Sequence, residues 1–508
     1  MSSARDALAA RRTRIQRPPA PLEMSPEEFR AAGHALVDRL AGFLASIRTR
    51  RVTPGEKPEA VRAALGDKPL PERGVAPGAL LERATALLLE HSLLNGHPRF
   101  FGYITSSAAP IGALGDLLAA AVNPNCGAWE LAPIAGEIEA QAVRWIAELM
   151  GYPADCGGLL VSGGNMANMV GFLAARRAMA GAGVREHGIG TGAPLRVYTS
   201  AETHTWIQKA TDLFGLGTGA IRWIPTGPGL ALDLDALKTQ IAADRARGER
   251  PFMVIGTAGS VSTGAIDPLP AIAALCREHG LWFHVDGAYG GVAAGLPGAP
   301  ADLKGLVLAD SVAVDPHKWL YAPLEAGCVL VRDPERLRDA FSYRPPYYSM
   351  DHGPGAPLNY NEHGPQNSRG FRALKVWLGL QQAGREGITR MIAEDIELAK
   401  ALFEAAAAHP ELETGTLGLS IATFRYVPAD LVPNAAASTE YLNRLNEELL
   451  RRLKLGGETF LSNAVVAGRY LLRACIVNFR TTLEDVEAVP GIVVRAGRAL
   501  DRELRRAK

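Results

Sequence analysis

Lys318 lies in the segment VDPHKWL at residues 314–320, where an apolar strand is expected to end in a loop. A lysine amine in a partly desolvated pocket loses part of its preference for the charged form and becomes nucleophilic toward carbonyl groups. Most lysines are solvated surface residues, so the position gains meaning only from the residues that accompany it. Lys318 is therefore a candidate for a covalent bond to a carbonyl compound.

Other expected strand ends carry polar or small residues. Asp286 follows a buried strand in HVDGAY at 284–289, and a buried carboxylate needs a cationic partner such as a protonated pyridinium nitrogen. The turn SGGN at 162–165 opens a helix whose backbone N–H groups suit an anion. His204 follows a strand where an imidazole can lie flat on a planar ring, and Thr257 ends another strand with a hydroxyl. Each also has a purely structural interpretation. Asp286 could cap a helix or pair with an arginine, the SGGN segment could be a flexible turn, and His204 could be a hydrogen-bonded structural residue.

A lysine, a carboxylate, a glycine-rich anion turn and a stacking histidine together describe a pyridoxal phosphate site. With these residues the chain resembles the group II pyridoxal-phosphate-dependent amino acid decarboxylases, which include the aromatic-amino-acid, histidine, glutamate and cysteine-sulfinate enzymes. The resemblance extends from about Met24 into the C-terminal region. It rests, in chain order, on HPRFF at 97–101, the Gly-Gly-Asn turn, His204, HVDGAY and PHKW at 316–319.

The resemblance implies an α/β architecture, that of the fold-type I, aspartate aminotransferase-like PLP-dependent transferases, and an obligate homodimer with its active site at the subunit interface. Lys318 would hold pyridoxal 5'-phosphate as a Schiff base, Asp286 would keep the ring nitrogen protonated, and His204 would stack on the ring. The other cofactor-binding residues would be Gly164, Asn165, Thr257, Ala288 and His317. The family often has Asn before Pro-His-Lys, whereas this chain has Asp315, so direct contact of residue 315 with the phosphate stays open.

Residues 341–368 are too interrupted by Pro and Gly for a helix or a central strand, which indicates a lid or a linker. In the family, a tyrosine on a mobile loop returns a proton to the substrate Cα after CO2 leaves. Tyr347 stands at the matching place, with Tyr348 as the alternative, and either could instead be an aromatic that only excludes water. An acid at this position separates amine production from the oxidative chemistry of aldehyde synthases.

The same resemblance implies that Tyr103, Ile104, Trp129 and the lid line the pocket for the substrate side chain. Tyr103 and Trp129 suit an aromatic ring, and no arginine is evident for an acidic one, so the expected substrate is an aromatic L-amino acid of the Trp, Phe, Tyr or DOPA type. The Asn-Cys-Gly at 125–127 leaves room for a differently shaped pocket. The alternatives are a decarboxylase of glutamate, cysteine sulfinate, diaminobutyrate or histidine, an aldehyde synthase, an aminotransferase, or a non-catalytic scaffold.

Strand-helix alternation positions these residues between about 100 and 375. The expected strands are at 158–161, 196–199, 252–255, 281–285, 311–314 and 327–331. This alternation favours a mostly parallel sheet covered on both faces, with its site beyond the carboxyl ends of the strands. The expected organisation is an N-terminal extension at 1–23, a helical segment packing on a partner subunit at 24–100, a large cofactor-binding domain at 101–378 and a small α+β domain at 379–508. Strands near 420–425 and 471–476 belong to the last of these.

Net charge, the length of apolar runs and cysteine spacing indicate which classes of function are not expected. The formal net charge is +1 and no basic stripe is evident, so nucleic acid is not an expected partner. Apolar runs stop short of about 18 residues, and residues 1–22 lack the apolar core of a signal peptide, so no membrane association is expected. The five scattered cysteines show no metal-ligand spacing. They are expected to be reduced thiols of a cytoplasmic protein that binds no metal.

Overall fold

The computed structural model describes residues 4–7, 10–11, 20–181, 183–190, 192–346, 355–431 and 436–506. Its contacts separate the chain into two units, Met1–Leu94 and Asn95–Lys508.

The first unit is helical, with α1 (Pro26–Ser46), α2 (Pro58–Leu65) and α3 (Pro77–His91). A capping box begins α1, because Ser25 Oγ accepts a hydrogen bond from the Glu28 backbone N–H and the Glu28 carboxylate accepts one from the Ser25 N–H. No residue of α1 is buried. Its apolar stripe, which includes Phe29 and Leu40, is exposed.

The second unit contains a sheet of seven strands. They are β1 (Gly157–Val161), β2 (Leu195–Ser200), β3 (Ile221–Ile224), β4 (Arg250–Thr257), β5 (Trp282–Asp286), β6 (Ser311–Val314) and β7 (Gly327–Val331). Their spatial order is β1-β7-β6-β5-β4-β2-β3. The strands from β6 to β3 pair in parallel, and β7 pairs antiparallel with both β1 and β6. This mostly parallel sheet confirms the predicted fold class.

Helices and a second sheet complete this unit. The helices are α4 (Pro110–Val122), α5 (Pro133–Met150), α6 (Gly164–Ala180), α7 (Val184–His187), α8 (Trp206–Leu213), α9 (Leu234–Ala246), α10 (Leu269–His279), α11 (Ala301–Lys304), α12 (Glu335–Phe341), α13 (Ala373–Ala407), α14 (Ala436–Gly456) and α15 (Leu483–Arg506). The second sheet is antiparallel, in the order β10 (Ser462–Val466), β11 (Arg469–Cys475), β9 (Ile421–Tyr426) and β8 (Leu412–Gly418). Among the described residues, no helix is both long and apolar enough to cross a bilayer.

The central strands β5, β6 and β7 of the seven-stranded sheet are buried on both faces. Successive residues of β1 point to opposite sides, so Leu160 joins one buried apolar cluster while Leu159 and Val161 join another. A third cluster packs the antiparallel sheet against helices of the C-terminal region. Burial on both faces explains why these central strands are rich in apolar residues.

Helix α13 passes through the expected domain boundary at residue 378. The helix has a break at Gly384, whose φ of 63° and ψ of 174° leave the helical region. A positive φ of this kind is readily available to glycine, which has no Cβ. The division of the second unit into domains at 101–378 and 379–508 remains a proposal.

Candidate active site

A cavity of about 860 Å³ lies where several strands of the large sheet end. Ten of the residues predicted from the sequence line it: Tyr103, Ile104, Gly164, Asn165, His204, Thr257, Asp286, Ala288, His317 and Lys318. Their shared position follows from the topology, because the carboxyl ends of parallel strands meet at one edge of the sheet.

Lys318 is held by a buried carboxylate. In the turn after β6, its Nζ forms an ion pair with Asp315 Oδ2 at 2.9 Å. Asp315 is buried, and its Oδ1 has no hydrogen-bond partner within the described ranges. His317 Nε2 lies 3.7 Å from Asp315 Oδ2, and His317 Nδ1 accepts the Ala326 backbone N–H at 3.1 Å. Burial lowers the pKa of His317, against an opposing effect of Asp315.

Asp286 ends β5 and is fixed by two donors. Trp206, the first residue of α8, donates its indole Nε1–H to Asp286 Oδ2 at 2.8 Å. The Ala288 backbone N–H donates to Asp286 Oδ1 at 3.2 Å. Neither donor is a cation, so the carboxylate can still accept a positively charged N–H from a ligand in the cavity.

His204 and Thr257, which both precede this carboxylate in the chain, also line the cavity. His204 Nδ1 accepts the Trp206 backbone N–H at 3.3 Å, and burial lowers its pKa against the opposing effect of Asp286. Thr257 ends β4, and its backbone N–H donates to Asp267 Oδ2 at 2.8 Å. Its hydroxyl lies 3.5 Å from Thr203 Oγ1.

The glycine turn leaves no room for side chains. Gly163 has a φ of 128°, which favours glycine, and a Cβ on Gly327 would lie 2.5 Å from the Gly163 backbone. Gly164 is the first residue of α6, and a Cβ on it would lie 2.6 Å from Asp315 Oδ2. The N-terminus of α6 therefore opens directly onto the cavity, as an anion site requires.

A chain of buried hydrogen bonds connects this glycine turn to strands β5 and β6. Trp282 Nε1–H donates to Ser311 Oγ at 2.8 Å, and Ser311 Oγ–H donates to His284 Nδ1 at 2.8 Å. His284 Nε2–H donates to Asn168 Oδ1 at 2.7 Å, and Asn168 Nδ2–H donates to the Gly164 carbonyl at 2.9 Å. Each direction follows because an indole N–H only donates and an amide oxygen only accepts. Burial lowers the pKa of His284 to about 4, which keeps the ring neutral.

Arg473 is a cavity residue that sequence reasoning missed. It lies on β11 and is buried, and one terminal nitrogen (Nη1) donates to the Tyr103 carbonyl at 3.2 Å and to Ser462 Oγ at 2.9 Å. Its Nε and its other terminal nitrogen (Nη2) have no partner in the part of the chain that the structure describes. A buried guanidinium with free donors beside a cavity suits a carboxylate ligand. Other cavity residues that were missed are Thr105, Met169, Val261, Ser262, Leu324, Glu325, Ser462 and Asn463.

Trp129 and Tyr347 are not among the residues described around this cavity. Trp129 does not line the cavity of this chain: its indole donates to Glu137 Oε1 at 2.8 Å and its backbone N–H to Asn359 Oδ1 at 3.0 Å. Tyr347 and Tyr348 lie outside the described residues. No group of three or more His, Cys, Asp or Glu side chains suited to a metal ion occurs within the described ranges.

Comparison with known proteins agrees with this geometry. Residues 58–425 match the pyridoxal-dependent decarboxylase conserved domain. The chain belongs to this family. It is 32% identical to the aromatic-L-amino-acid decarboxylase of Bacillus atrophaeus over 92% of this chain and 94% of the relative. It is 29% identical to a phenylacetaldehyde synthase of a Rosa hybrid cultivar, over 89% of this chain and 90% of the relative.

Solved structures of the family have the same fold. Oryza sativa TDC with PLP and tryptamine superimposes with a TM-score of 0.87 at 27% identity, covering 95% of this chain and 100% of that one. Mouse CSAD in the apo form gives a TM-score of 0.85 at 27% identity, covering 92% and 99%. The protein is thus a PLP-dependent amino acid decarboxylase, a carboxy-lyase. The Lys318 amine, the glycine turn and the Asp286 carboxylate, which can accept a positively charged N–H, fit pyridoxal 5'-phosphate.

Proposed function

We propose that this chain decarboxylates an aromatic L-amino acid to the corresponding amine and CO2. The observation that carries the proposal is the charge of the cavity. Arg473 is the one arginine among the described residues that line it, and an amino acid already has one carboxylate for that group to bind. An acidic side chain would need a second strong cation and would meet Glu325. Apolar lining residues such as Ile104 and Val261 suit a ring instead.

The similarity to an aromatic-amino-acid decarboxylase supports this substrate class. The similarity to CSAD and to a phenylacetaldehyde synthase makes an acidic substrate and an aldehyde product the rival outcomes. All three relatives have comparable identity to this chain, so the cavity argument distinguishes the substrates better than overall similarity does.

Pyridoxal phosphate, when bound, supplies a carbonyl carbon for the amine and a protonated ring that accepts the electron pair released as CO2 leaves. We assign the covalent bond to Lys318 and the proton on the ring nitrogen to Asp286, which Trp206 orients. His204 stacks on the ring and Arg473 binds the substrate carboxylate. The residues Gly164, Asn165, Thr257, Ala288 and His317 complete the cofactor site.

A proton donor to the substrate Cα determines whether an amine is formed. We propose Tyr347 for this role, with Tyr348 as the alternative. A phenol is suited to the step because it can deliver its proton to carbon while the closed site excludes water.

We also propose a homodimer with the site at the subunit interface. Exposed leucines on α4, among them Leu114, Leu117 and Leu118, support an apolar contact, and the exposed stripe of α1 supports another. The five free cysteines support the expected cytoplasmic location.

The test is a product screen with purified protein and added pyridoxal phosphate. Tryptophan, phenylalanine, tyrosine and DOPA are compared with glutamate, cysteine sulfinate, diaminobutyrate and histidine, and CO2, amine, aldehyde and hydrogen peroxide are all measured. Equal amounts of amine and CO2 from aromatic substrates are expected. Release of CO2 with aldehyde and peroxide would identify an aldehyde synthase, and preference for cysteine sulfinate or glutamate would refute the aromatic assignment.

A further inference from the structure

Asp315 has one cationic partner and one oxygen without a partner. Its Oδ2 forms an ion pair with Lys318 Nζ at 2.9 Å. Its Oδ1 has no hydrogen-bond partner in the described part of the chain. The residue is only 3% exposed. A buried carboxylate without a compensating cation is strongly destabilising. The ammonium of Lys318 therefore provides most of the compensation that allows Asp315 to be charged.

Cofactor loading weakens that compensation. Once Lys318 Nζ is bonded to a carbonyl carbon it carries at most one proton instead of three, so its hydrogen bonding to Asp315 is reduced. The cofactor phosphate, proposed to lie at the N-terminus of α6, adds an anion nearby. The carboxyl group stands beside that position, since a Cβ on Gly164 would lie 2.6 Å from Asp315 Oδ2. A carboxylate would then face another anion across a buried gap.

We infer that Asp315 is the proton acceptor for Lys318 during cofactor loading, and that it remains a neutral carboxylic acid in the loaded enzyme. The inference rests on the proposed cofactor site. It assigns a use to the acid that replaces the asparagine often found at this position in the family.

The proton balance is simple. The Asp315 carboxylate takes one proton from the Lys318 ammonium, and the electron pair of that N–H bond becomes the nitrogen lone pair. This pair forms the bond to the carbonyl carbon, and the two remaining amine protons leave with the carbonyl oxygen as water. No oxidant or reductant is needed. The new O–H of Asp315 can donate to a phosphate oxygen that the carboxylate would repel.

Other titratable groups near Asp315 do not supply this proton. His317 on the same turn and His204 before α8 both interact with Asp315, and burial lowers the pKa of both, so each is mainly neutral near pH 7. Cys328 of β7 also interacts with Asp315, and burial raises the pKa of its thiol well above the ordinary value. Lys318 is left as the charged donor in contact with the carboxyl group.

Infrared difference spectroscopy of loaded against empty protein tests the inference, with bound cofactor confirmed by its visible absorbance. We expect loading to produce the C=O band of a protonated carboxylic acid that shifts in D2O and with isotope-labelled aspartate. Asp315→Asn should lose the band. Glu325→Gln is the matched control, because Glu325 lines the same cavity but is half exposed and paired with Arg372 at 3.1 Å. This variant should keep the band.

Two failures are distinguishable. Bound cofactor without an aspartate-dependent band in the wild-type protein overturns the inference and leaves the proposed function intact. Protein that shows no cofactor absorbance at all overturns the proposed function and the inference with it. If Asp315→Asn does not load, the wild-type spectra with and without labelled aspartate decide the question alone.

Discussion

At the scale of single residues, hydrogen bonds determine which nitrogen of each histidine carries its proton. His204 and His317 both accept a backbone N–H on Nδ1, at 3.3 Å and 3.1 Å. Each neutral ring therefore has its proton on Nε2. Because burial lowers the pKa of both, the two rings contribute donors rather than positive charge to the site. Among the described residues that line the cavity, Lys318 and Arg473 are then the strong cations of the empty site.

Arg473→Met should raise KM for the amino acid by about 10- to 100-fold, since a hydrogen bond to a charged group contributes about 1.5–3 kcal/mol. Initial rates of CO2 release measure KM and kcat separately, and the cofactor absorbance checks that the site remains intact. Arg469→Met is the matched control, because Arg469 lies on the same strand but pairs with Glu413 at 2.9 Å. An unchanged KM in Arg473→Met would remove Arg473 from substrate binding.

His284 should make stability depend on pH. Burial lowers its pKa from 6.5 to about 4, so the unfolded chain binds the proton more readily than the folded chain does. The resulting contribution is present above about pH 6.5 and is lost as the pH falls toward 4, by about 3 kcal/mol. Urea titrations over this range should show a flatter dependence for His284→Gln. His34→Gln, an exposed position on α1, should retain the wild-type dependence; equal slopes for all three proteins would contradict the prediction.

The sequence predicted those site residues that directly follow visible apolar runs. Lys318, Asp286 and His204 are of this kind, and parallel strands necessarily bring their ends together. Arg473 lies inside a strand of the second sheet, and alternation within that strand does not reveal which side meets the cavity. Asp315 is an unusual residue at its position in the sequence, but only the structure shows that its carboxyl group lies between Lys318 and the first residue of α6.

At the scale of elements, α13 is hydrogen-bonded to the turn that carries Lys318. Asp395 of α13 is buried, and its Oδ2 accepts the Trp319 indole N–H at 2.9 Å and the Tyr321 hydroxyl at 2.7 Å. Trp319 also stacks on Tyr289, with ring centroids 4.8 Å apart. A helix of the C-terminal half therefore fixes the residue next to Lys318.

Asp395→Asn should stabilise the protein at alkaline pH. Burial raises the pKa of Asp395 from 3.8 to about 7, so its contribution is present below about pH 3.8 and is lost as the pH rises through 7. The amide oxygen can keep the bonds from Trp319 and Tyr321 without ionising. We expect a gain of about 1–3 kcal/mol at pH 8 in urea unfolding, from a shift of about three pKa units less some loss of geometry.

Glu397→Gln is the control for that measurement, because it removes an exposed carboxylate two positions later on the same helix. It should leave the pH dependence as it is in the wild-type protein. A variant Asp395→Asn that is less stable than wild type at every pH would show that the carboxylate form is required.

Element prediction succeeded where strands are buried on both faces. All six strands predicted for the large sheet occur, as do the two predicted in the C-terminal region. The missed strands are β3, β8 and β10. Strand β3 is a four-residue edge strand with Arg222 and Trp223 turned partly to solvent, and β10 alternates buried and exposed residues over only five positions. Such short, half-polar segments are stabilised by pairing with neighbours that a local pattern does not contain.

At the scale of the whole molecule, exposed apolar surface on α4 should determine the assembly state. Leu118→Glu should convert a dimer into monomers, because a carboxylate buried without a partner in an apolar interface is costly. Sedimentation velocity measures the change. Leu483→Glu alters a leucine of similar exposure, 50% against 54%, at the start of α15, and should leave assembly unchanged. A wild-type protein that sediments as a monomer would refute the proposed dimer directly.

The hydrogen bond between Trp206 and Asp286 also places a fluorescent side chain next to the proposed cofactor site. The indole is fully buried, and its N–H is 2.8 Å from the carboxylate assigned to the cofactor ring. Excitation energy passes readily from an indole to an absorbing chromophore at such close range, so emission from Trp206 should be quenched as the site fills. The chain has seven tryptophans, and Trp206→Phe would identify the quenched share. Titration of empty protein could then be followed by fluorescence without any added label.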